Sequence, residues 1–183
     1  WRLVLTTGTG SIFGFLSARQ GYDAAIMAPM FIIMSFAFGK AFFLILLLGI
    51  YNLTNRSISA DLIERLKNLF GVFVAAVLYF AVVFHITNLY AAEHADYESF
   101  ILVNGGIYTA IFWIGQVLIG GVIPLILLYS PMFAHSVKSI VTASILVIVG
   151  GFANIYGIVV GGQVFPLSLF PGQEVSSSFG DGA

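Results

Sequence analysis

The stretch from Ala24 to Leu53, AAIMAPMFIIMSFAFGKAFFLILLLGIYNL, contains one charged residue, Lys40, among thirty. A transmembrane helix needs about 20 mainly apolar residues, so this stretch is long enough to cross a bilayer with some tilt. Its apolar run is continuous, whereas a lipid-facing barrel strand alternates apolar and polar residues. The stretch therefore predicts a membrane-spanning helix.

Further apolar stretches have the same character, namely Leu66–Tyr90, Phe100–Tyr129 and Val137–Phe165. Trp1–Ser17 is shorter and rich in Gly and Thr, which indicates the closing half of an earlier span. The whole chain is 60% hydrophobic and 8% charged, with a mean hydropathy of +1.04, whereas a soluble domain carries about 25% charged residues. We predict an all-α polytopic membrane protein: a four-transmembrane-helix bundle with a partial N-terminal span.

The ends of the sequence and its composition limit what the chain does alone. It starts without a methionine and stops in a polar stretch, so we expect it to be part of a longer polytopic protein. A net charge of −1 provides no excess of positive charge for binding nucleic acid. The absence of cysteine excludes disulfides, cysteine-ligated zinc and iron–sulfur clusters within this chain. Any redox metal must therefore belong to other subunits.

Loop charges predict an orientation, because positive charge is retained on the cytoplasmic side. Cations occur in the first loop and in the third: Arg56, Arg65 and Lys67, then His135 and Lys138. The second loop and the C-terminal stretch hold acids without Lys or Arg: Glu93, Asp96 and Glu98, then Glu174 and Asp181. We predict that Asn52–Arg65 and Ser130–Lys138 lie inside and that Ala91–Ser99 and Pro166–Ala183 lie outside. Arg19 is the cation that does not fit.

A short amphipathic helix is predicted before the second span. Ser59 is a candidate N-cap, and Asp61 and Glu64 in the first turns complement the helix dipole. Such a helix is typical of an interfacial anchor.

Ionisable and strongly polar residues inside lipid are costly and mark candidate functional sites. Lys40 lies in mid-span with no acid at comparable depth in this chain. It is a candidate for a proton path or for a position near a quinone. The alternatives are structural: the ammonium pairs with an acid, or the long side chain reaches water. His85 and Asn88 lie three residues apart on one helical face, with Tyr90 at the interface. A histidine at this position can hydrogen-bond a quinone carbonyl and exchange its proton near neutral pH. The alternative is a structural histidine whose hydrogen bonds are made to neighbouring helices.

Haem ligation is disfavoured, since His94 and His135 are in predicted loops on opposite sides. The third and fourth spans are rich in small residues, which favours close helix packing, and Pro124 predicts a kink. Tyr156 and Gln163 in the fourth span are further candidates for a quinone or proton path. No residue arrangement predicts a metal site or a nucleophilic catalytic site.

Several longer strings resemble one membrane-protein family. They are Gly10–Phe15 (GSIFGF) with Pro29-Met30-Phe31, FHITNLYAAEH (84–94), GGIYTAIFWIGQ (105–116), and GGFANIYGIVVGGQVFPLSLFPG (150–172) followed by SSSFGDG (176–182). Together they resemble the NrfD/polysulfide-reductase membrane subunits, and look closest to the DsrP branch, which belongs to the Dsr transmembrane complex of sulfur-metabolising prokaryotes.

The resemblance implies a multi-pass subunit of the cytoplasmic (inner) membrane without redox metals of its own. Such subunits exchange electrons between menaquinone and an attached iron–sulfur protein on the extracytoplasmic face, beside other membrane and cytochrome subunits, in anaerobic respiration. They contain two four-helix bundles, of which this chain would hold the second, as the C-terminal half of a larger protein, and the best supported quinone site lies in the first. His85, Asn88, Tyr90, Lys40, Tyr156 and Gln163 are therefore candidates on their chemistry alone.

Three functions remain open at this point. The first is a quinone-interacting subunit of a menaquinol oxidoreductase complex in sulfur- or sulfite-linked respiration. The second is a proton-conducting or transporter module, since a deep lysine and Gly/Pro-interrupted spans are transporter features. The third is a membrane anchor for soluble redox subunits.

Overall fold

The computed structural model describes residues 1–17, 19–54, 58–133, 136–170 and 173–175, from 167 onward by the backbone alone. Within these ranges four helices are long and apolar enough to cross a membrane: Met27–Leu53, Ala60–Tyr90, Ile107–Tyr129 and Val137–Val164. The predicted all-α bundle with four membrane-spanning helices is confirmed. Arg56, His135 and Asp181, which contributed to the predicted orientation, lie outside the described residues.

Helices are numbered along the chain. The α-helices are α1 Arg2–Gly14, α2 Met27–Leu53, α3 Ala60–Tyr90, α4 Ala95–Ser99, α5 Ile107–Ala110, α6 Ile123–Tyr129, α7 Val137–Tyr156 and α8 Gly162–Val164. A π-helical segment, Ile111–Val122, joins α5 to α6, and a second, Gly157–Gly161, joins α7 to α8. A short antiparallel pair, β1 Leu167–Phe170 and β2 Gln173–Val175, follows the last helix.

The predicted short amphipathic helix is continuous with the second span. α3 begins at Ala60 and runs without interruption to Tyr90. Ser59 occupies the predicted N-cap position with extended backbone, but its side chain makes no capping hydrogen bond. Asp61 and Arg65 form an exposed i,i+4 ion pair of 2.9 Å, which contributes little to stability.

The third span starts later than the apolar run suggests. A 3₁₀ turn at Ala92–His94, α4 and a π-helical turn at Phe100–Asn104 form a separate helical segment, and the transmembrane helix begins at Ile107. Gly106 has φ +56, a conformation that residues with a Cβ rarely adopt. The apolar residues after Ser99 therefore belong to the connection, because the segment that contains them ends at Asn104 and Gly106 is the N-cap of the helix that follows.

The fourth span packs against both the first and the third. Gly120 and Gly150 meet backbone to backbone, since a Cβ placed on Gly150 would collide with the Gly120 main chain. This close approach agrees with the predicted packing role of the small residues. Pro124 is buried at the start of α6, where the π-helical segment changes to α-helix.

Arg19 lies at the same end of the bundle as the segment Ala92–Asn104. Its guanidinium donates hydrogen bonds to the main-chain oxygens of Gln163, at 2.7 Å, and Gly162, at 3.4 Å. A cation at a helix C-terminus satisfies free carbonyls and complements the dipole. Arg19 therefore has a local structural reason to lie at this otherwise acidic end.

Candidate functional site

A buried carboxyl group joins the two polar residues predicted on α3. Glu98 is fully buried; its Oε2 lies 2.6 Å from Nδ1 of His85, and Nδ2 of Asn88 donates to its Oε1 at 2.8 Å. Asn88 is 2% exposed, and the His85 side chain is 13% exposed. Glu98, which the sequence placed in an outer loop, is thus at the centre of the candidate site.

Local structure explains how Glu98 reaches this position. α4 packs on the end of α3, and His85 and Asn88 face it because residues three apart share a helical face. His94 Nδ1 lies 2.6 Å from the Gln20 main-chain oxygen. The ring of Tyr97 lies directly against Gly21, which leaves no room for a Cβ there. These contacts hold α4 over the ends of the spans.

Two tyrosines close this end of the bundle in their neutral form. Burial, reinforced by the neighbouring Glu98, raises the pKa of Tyr97. Burial also raises the pKa of Tyr22, against the opposing effect of Arg19. The Tyr22 hydroxyl donates to the main-chain oxygens of Ile158, at 3.0 Å, and Val159, at 3.1 Å. It thereby satisfies carbonyls of the π-helical turn in the fourth span.

The His85–Glu98 contact is suited to proton exchange. A distance of 2.6 Å between a ring nitrogen and a carboxyl oxygen places one proton between them. Because Nδ1 is engaged by Glu98, Nε2 is the nitrogen that remains for a ligand. Asn88 fixes the other carboxyl oxygen, so the carboxyl group and the imidazole are both held in one orientation.

His85 borders a small cavity of about 30 Å³. Most of its lining is apolar or aromatic, and the Phe112 ring stands edge-on to His85 at 4.6 Å. Polar groups enter the lining at a few points: His85, Tyr97, Tyr108, Gln116 and Asn154. Apolar walls with a few convergent polar groups are typical of a small-molecule site, but this cavity has room for only about one water molecule.

The other predicted candidates lie elsewhere. Tyr90 is 93% exposed, Tyr156 is half exposed and stacks on Tyr108 at 6.5 Å, and neither lines the cavity. Gln163 is exposed, and its main-chain oxygen accepts from Arg19. The structure therefore brings together His85 and Asn88 and places Tyr90, Tyr156 and Gln163 outside the cavity.

Lys40 belongs to a different region. Its ammonium lies 5.3 Å from the centre of the Phe43 ring, and the side chain lines a wide groove of about 840 Å³ between α1, α2 and α3. Arg2 lines the same groove, so the nearest ionisable neighbour there is another cation. Lys40 and His85 are parts of separate surfaces.

Glu98, Tyr108, Gln116 and Asn154 were missed as site residues. Asn154 and Gln116 lie in the glycine-rich strings, where packing was the simpler explanation, and Asn154 donates to the Met34 sulfur at 3.5 Å. The available signal for Glu98 was its position next to an apolar run, ten residues after Asn88. Among the described residues, no group of three or more His, Asp or Glu side chains could hold a metal ion.

Comparison with known proteins supplies the family. The family described as "Polysulphide reductase, NrfD" matches residues 1–167. The chain belongs to this family. Its members are membrane proteins, in agreement with the four spans of the structure.

Two curated relatives carry more specific names. One is the "Hdr-like menaquinol oxidoreductase integral membrane subunit" of Archaeoglobus fulgidus, 29% identical over 97% of this chain and 45% of the relative. Another is a putative membrane subunit of a dimethyl sulfoxide reductase from Halobacterium salinarum, 27% identical over 93% of this chain and 39% of the relative. The chain thus spans less than half the length of these two proteins. No solved structure matches it.

Proposed function

We propose that the chain is part of a quinone-interacting integral membrane subunit of a respiratory electron-transfer complex, and that the buried His85–Glu98 pair exchanges protons with the quinone. The observation that carries the proposal is the buried His85–Glu98 pair, which opens onto an otherwise largely apolar cavity. A quinone ring is apolar, and its oxygens need a proton donor and acceptor, which this pair supplies.

The chemistry assigns distinct roles to the residues. Oxidation of one quinol to quinone releases two electrons and two protons; the electrons pass to oxidised iron–sulfur clusters of a partner subunit. The hydroxyl facing His85 gives its proton to Nε2, and the second proton goes to water, which finally receives both. Glu98 orients His85 and stabilises its protonated form, and Asn88 orients Glu98. In the opposite direction the same groups return the protons.

The names of the relatives and the family support the finer points of the proposal. One relative is named a menaquinol oxidoreductase subunit, which supports menaquinone as the quinone and a multi-subunit complex around the chain. The strings that resemble the DsrP branch support sulfur- or sulfite-linked anaerobic respiration. We assign the complex to the cytoplasmic membrane, with the acidic end of the bundle on the outer side and the iron–sulfur subunit there, with cytochrome subunits in the same complex.

The test uses the complete complex, purified from its membrane, and a quinone that carries a photoreactive azide on the ring. We expect the label on the peptide that contains His85 and on the facing peptide that contains Phe112. His85→Gln should lower quinol-dependent reduction of the iron–sulfur clusters, followed by electron paramagnetic resonance. Tyr90→Phe is the matched control, because Tyr90 lies near the same end but outside the cavity, and it should leave the rate unchanged.

Site-resolved labelling is needed because a quinone bound elsewhere in the full subunit would also support turnover. Absence of label near His85, together with unchanged reduction in His85→Gln, would contradict the proposal. If proteoliposomes then showed ion flux that Lys40→Ala abolishes, the chain would be a transport module. If neither substitution changed any activity, it would be a membrane anchor for redox subunits.

A further inference from the structure

The outer face of α2, the side on which α1 packs, is covered over the first half of the helix. A Cβ on Gly10 of α1 would meet the main chain of Ala28. Four residues later, a Cβ on Gly14 would meet the main chain of Ala24, so the two helices are antiparallel. α1 begins at Arg2, eight residues before Gly10, which is level with a point near the middle of α2. The cover that α1 provides therefore ends about halfway along α2.

The same face continues beyond the level at which α1 begins. Eleven residues make about three helical turns, so Gly39 lies on the same face as Ala28. Nothing lies within 4 Å of a Cβ placed on Gly39. Apolar side chains further along this face are about half exposed: Phe42, Phe43, Leu46 and Ile50. A face that begins as a helix–helix interface thus continues without a cover among the described residues.

The groove that holds Lys40 lies where the cover ends. Its walls are formed by α1, by α2 from Ser35 to Phe43 and by Phe73 of α3, and its volume is about 840 Å³. Lys40 and Arg2 are its charged side chains, and no Asp or Glu of the described residues lines it. A space lined by charges of one sign attracts groups of the opposite sign. The groove is therefore shaped to take several side chains and is charged to take an anionic one.

The depth of Lys40 makes acyl chains an unfavourable cover for this groove. Lys40 lies halfway between Met27 and Leu53, the ends of α2, so with a rise of about 1.5 Å per residue it is about 20 Å from either end. The hydrocarbon core of a bilayer is about 30 Å thick, which places Lys40 near its middle. Ionisable residues at such a depth pair with one another or line a polar space. The contact of the ammonium with the Phe43 ring, at 5.3 Å, is weak by comparison.

The curated relatives are more than twice as long as the part of them that this chain matches, at 45% and 39% of their lengths. We propose that a transmembrane helix of the same subunit, from outside these 183 residues, packs on the outer face of α2 beyond α1 and places an Asp or Glu carboxylate against Lys40 and Arg2. Continuity with the α1 interface gives the position of this helix, and the two cations give its charge. The inference concerns the assembly of the subunit and is independent of the quinone chemistry.

Photocrosslinking in the complete complex, in its native membrane, identifies what covers this face. The photoreactive residue p-benzoylphenylalanine replaces Phe43 in one sample and Phe31 in the control, where the Phe31 ring stacks on Phe13 of α1 at 5.6 Å. Peptide mapping should join the Phe31 probe to α1, and the Phe43 probe to a peptide of the same subunit that lies outside this sequence and contains an Asp or Glu. A Phe43 probe joined to lipid or quinone, to another subunit, to a peptide without an acid, or to nothing while the control reacts, would overturn the proposal.

Charge substitutions test the ion pair itself. Lys40→Met leaves the carboxylate buried without its partner, so the unfolding temperature of the complete complex should fall by about 5 °C or more. Lys138→Met makes the same change at an exposed lysine near the start of α7 and should leave it within about 2 °C. Neutralising the acid found by crosslinking should restore part of the loss in Lys40→Met, because the two changes remove the same interaction. Equal shifts in the two lysine variants, or full additivity with the acid, would exclude the pair.

Discussion

The chain has two membrane-embedded ionisable regions that look alike in sequence and differ in structure. Lys40 lies in mid-span on a wide groove with Arg2 and the Phe43 ring as neighbours. His85 lies near the end of a span and bonds a fully buried carboxyl group beside a narrower cavity. Both carry the cost of an ionisable group in lipid, but within the described residues only the second has a fixed partner for its proton. Depth in the membrane identifies a candidate, and its neighbours decide what chemistry it supports.

The largest expected effect comes from removing the carboxyl group. Glu98→Ala leaves Asn88 and His85 buried without their shared partner, and breaking a buried pair costs about 3–5 kcal/mol. We expect a clearly lower unfolding temperature of the detergent-solubilised complex and loss of quinol-dependent cluster reduction. Glu98→Gln keeps the size and can still accept from Asn88 with its amide oxygen, while its NH2 group can only donate to Nδ1 of His85. It should therefore retain most of the stability and still lose activity, because the proton is then held on Nε2.

A double-mutant cycle shows whether the pair acts as a unit. If His85 and Glu98 stabilise each other, the double variant His85→Ala/Glu98→Ala should lose clearly less stability than the sum of the two single variants. Additive losses would mean that the 2.6 Å contact carries no coupling, and the contrast with Lys40 would disappear.

An intermediate effect separates the two regions directly. General acid–base groups contribute about 100-fold or more to the rates they assist, so His85→Ala should reduce quinol oxidation by about that factor. Lys40→Met keeps the length and apolar character of the stem and should change the rate by less than about twofold. Steady-state rates of quinol oxidation provide the measurement. A large loss in Lys40→Met would assign the proton path to the groove instead.

The smallest expected effect concerns Tyr97 in α4 and the stability of the folded protein at high pH. The folded protein raises the pKa of Tyr97 above its ordinary value of 10.0, so the folded state holds this proton more tightly than the unfolded chain. The stability from this group is therefore complete below about pH 10 and decreases as the pH rises above it. Thermal unfolding of Tyr97→Phe should show a weaker decline between about pH 10 and pH 11 than the unsubstituted complex. The same slope in both proteins would contradict the burial of a neutral phenol at this position.

The candidate site was predictable only in part. The spacing of His85 and Asn88 placed them correctly on one face, because helical periodicity is local. The same reasoning included Tyr90, which is on the outer surface, since interfacial aromatics occur both in sites and in lipid contact. Glu98 was counted as a loop acid because charge alone cannot show that a short helix folds back over the bundle.

The sequence by itself determined the membrane environment, the four spans and the absence of cysteine-bound metals, because these follow from composition and from apolar runs long enough to cross a bilayer. Only the tertiary structure decided where the third span begins, why Arg19 lies at an acidic end, and which polar groups meet. The first outcome depends on the positive φ of Gly106. The other two depend on contacts between distant segments: Arg19 with carbonyls at the end of the fourth span, and a carboxyl group from α4 placed against α3. Hydropathy and spacing are local quantities, and they contain no information on which segments pack together.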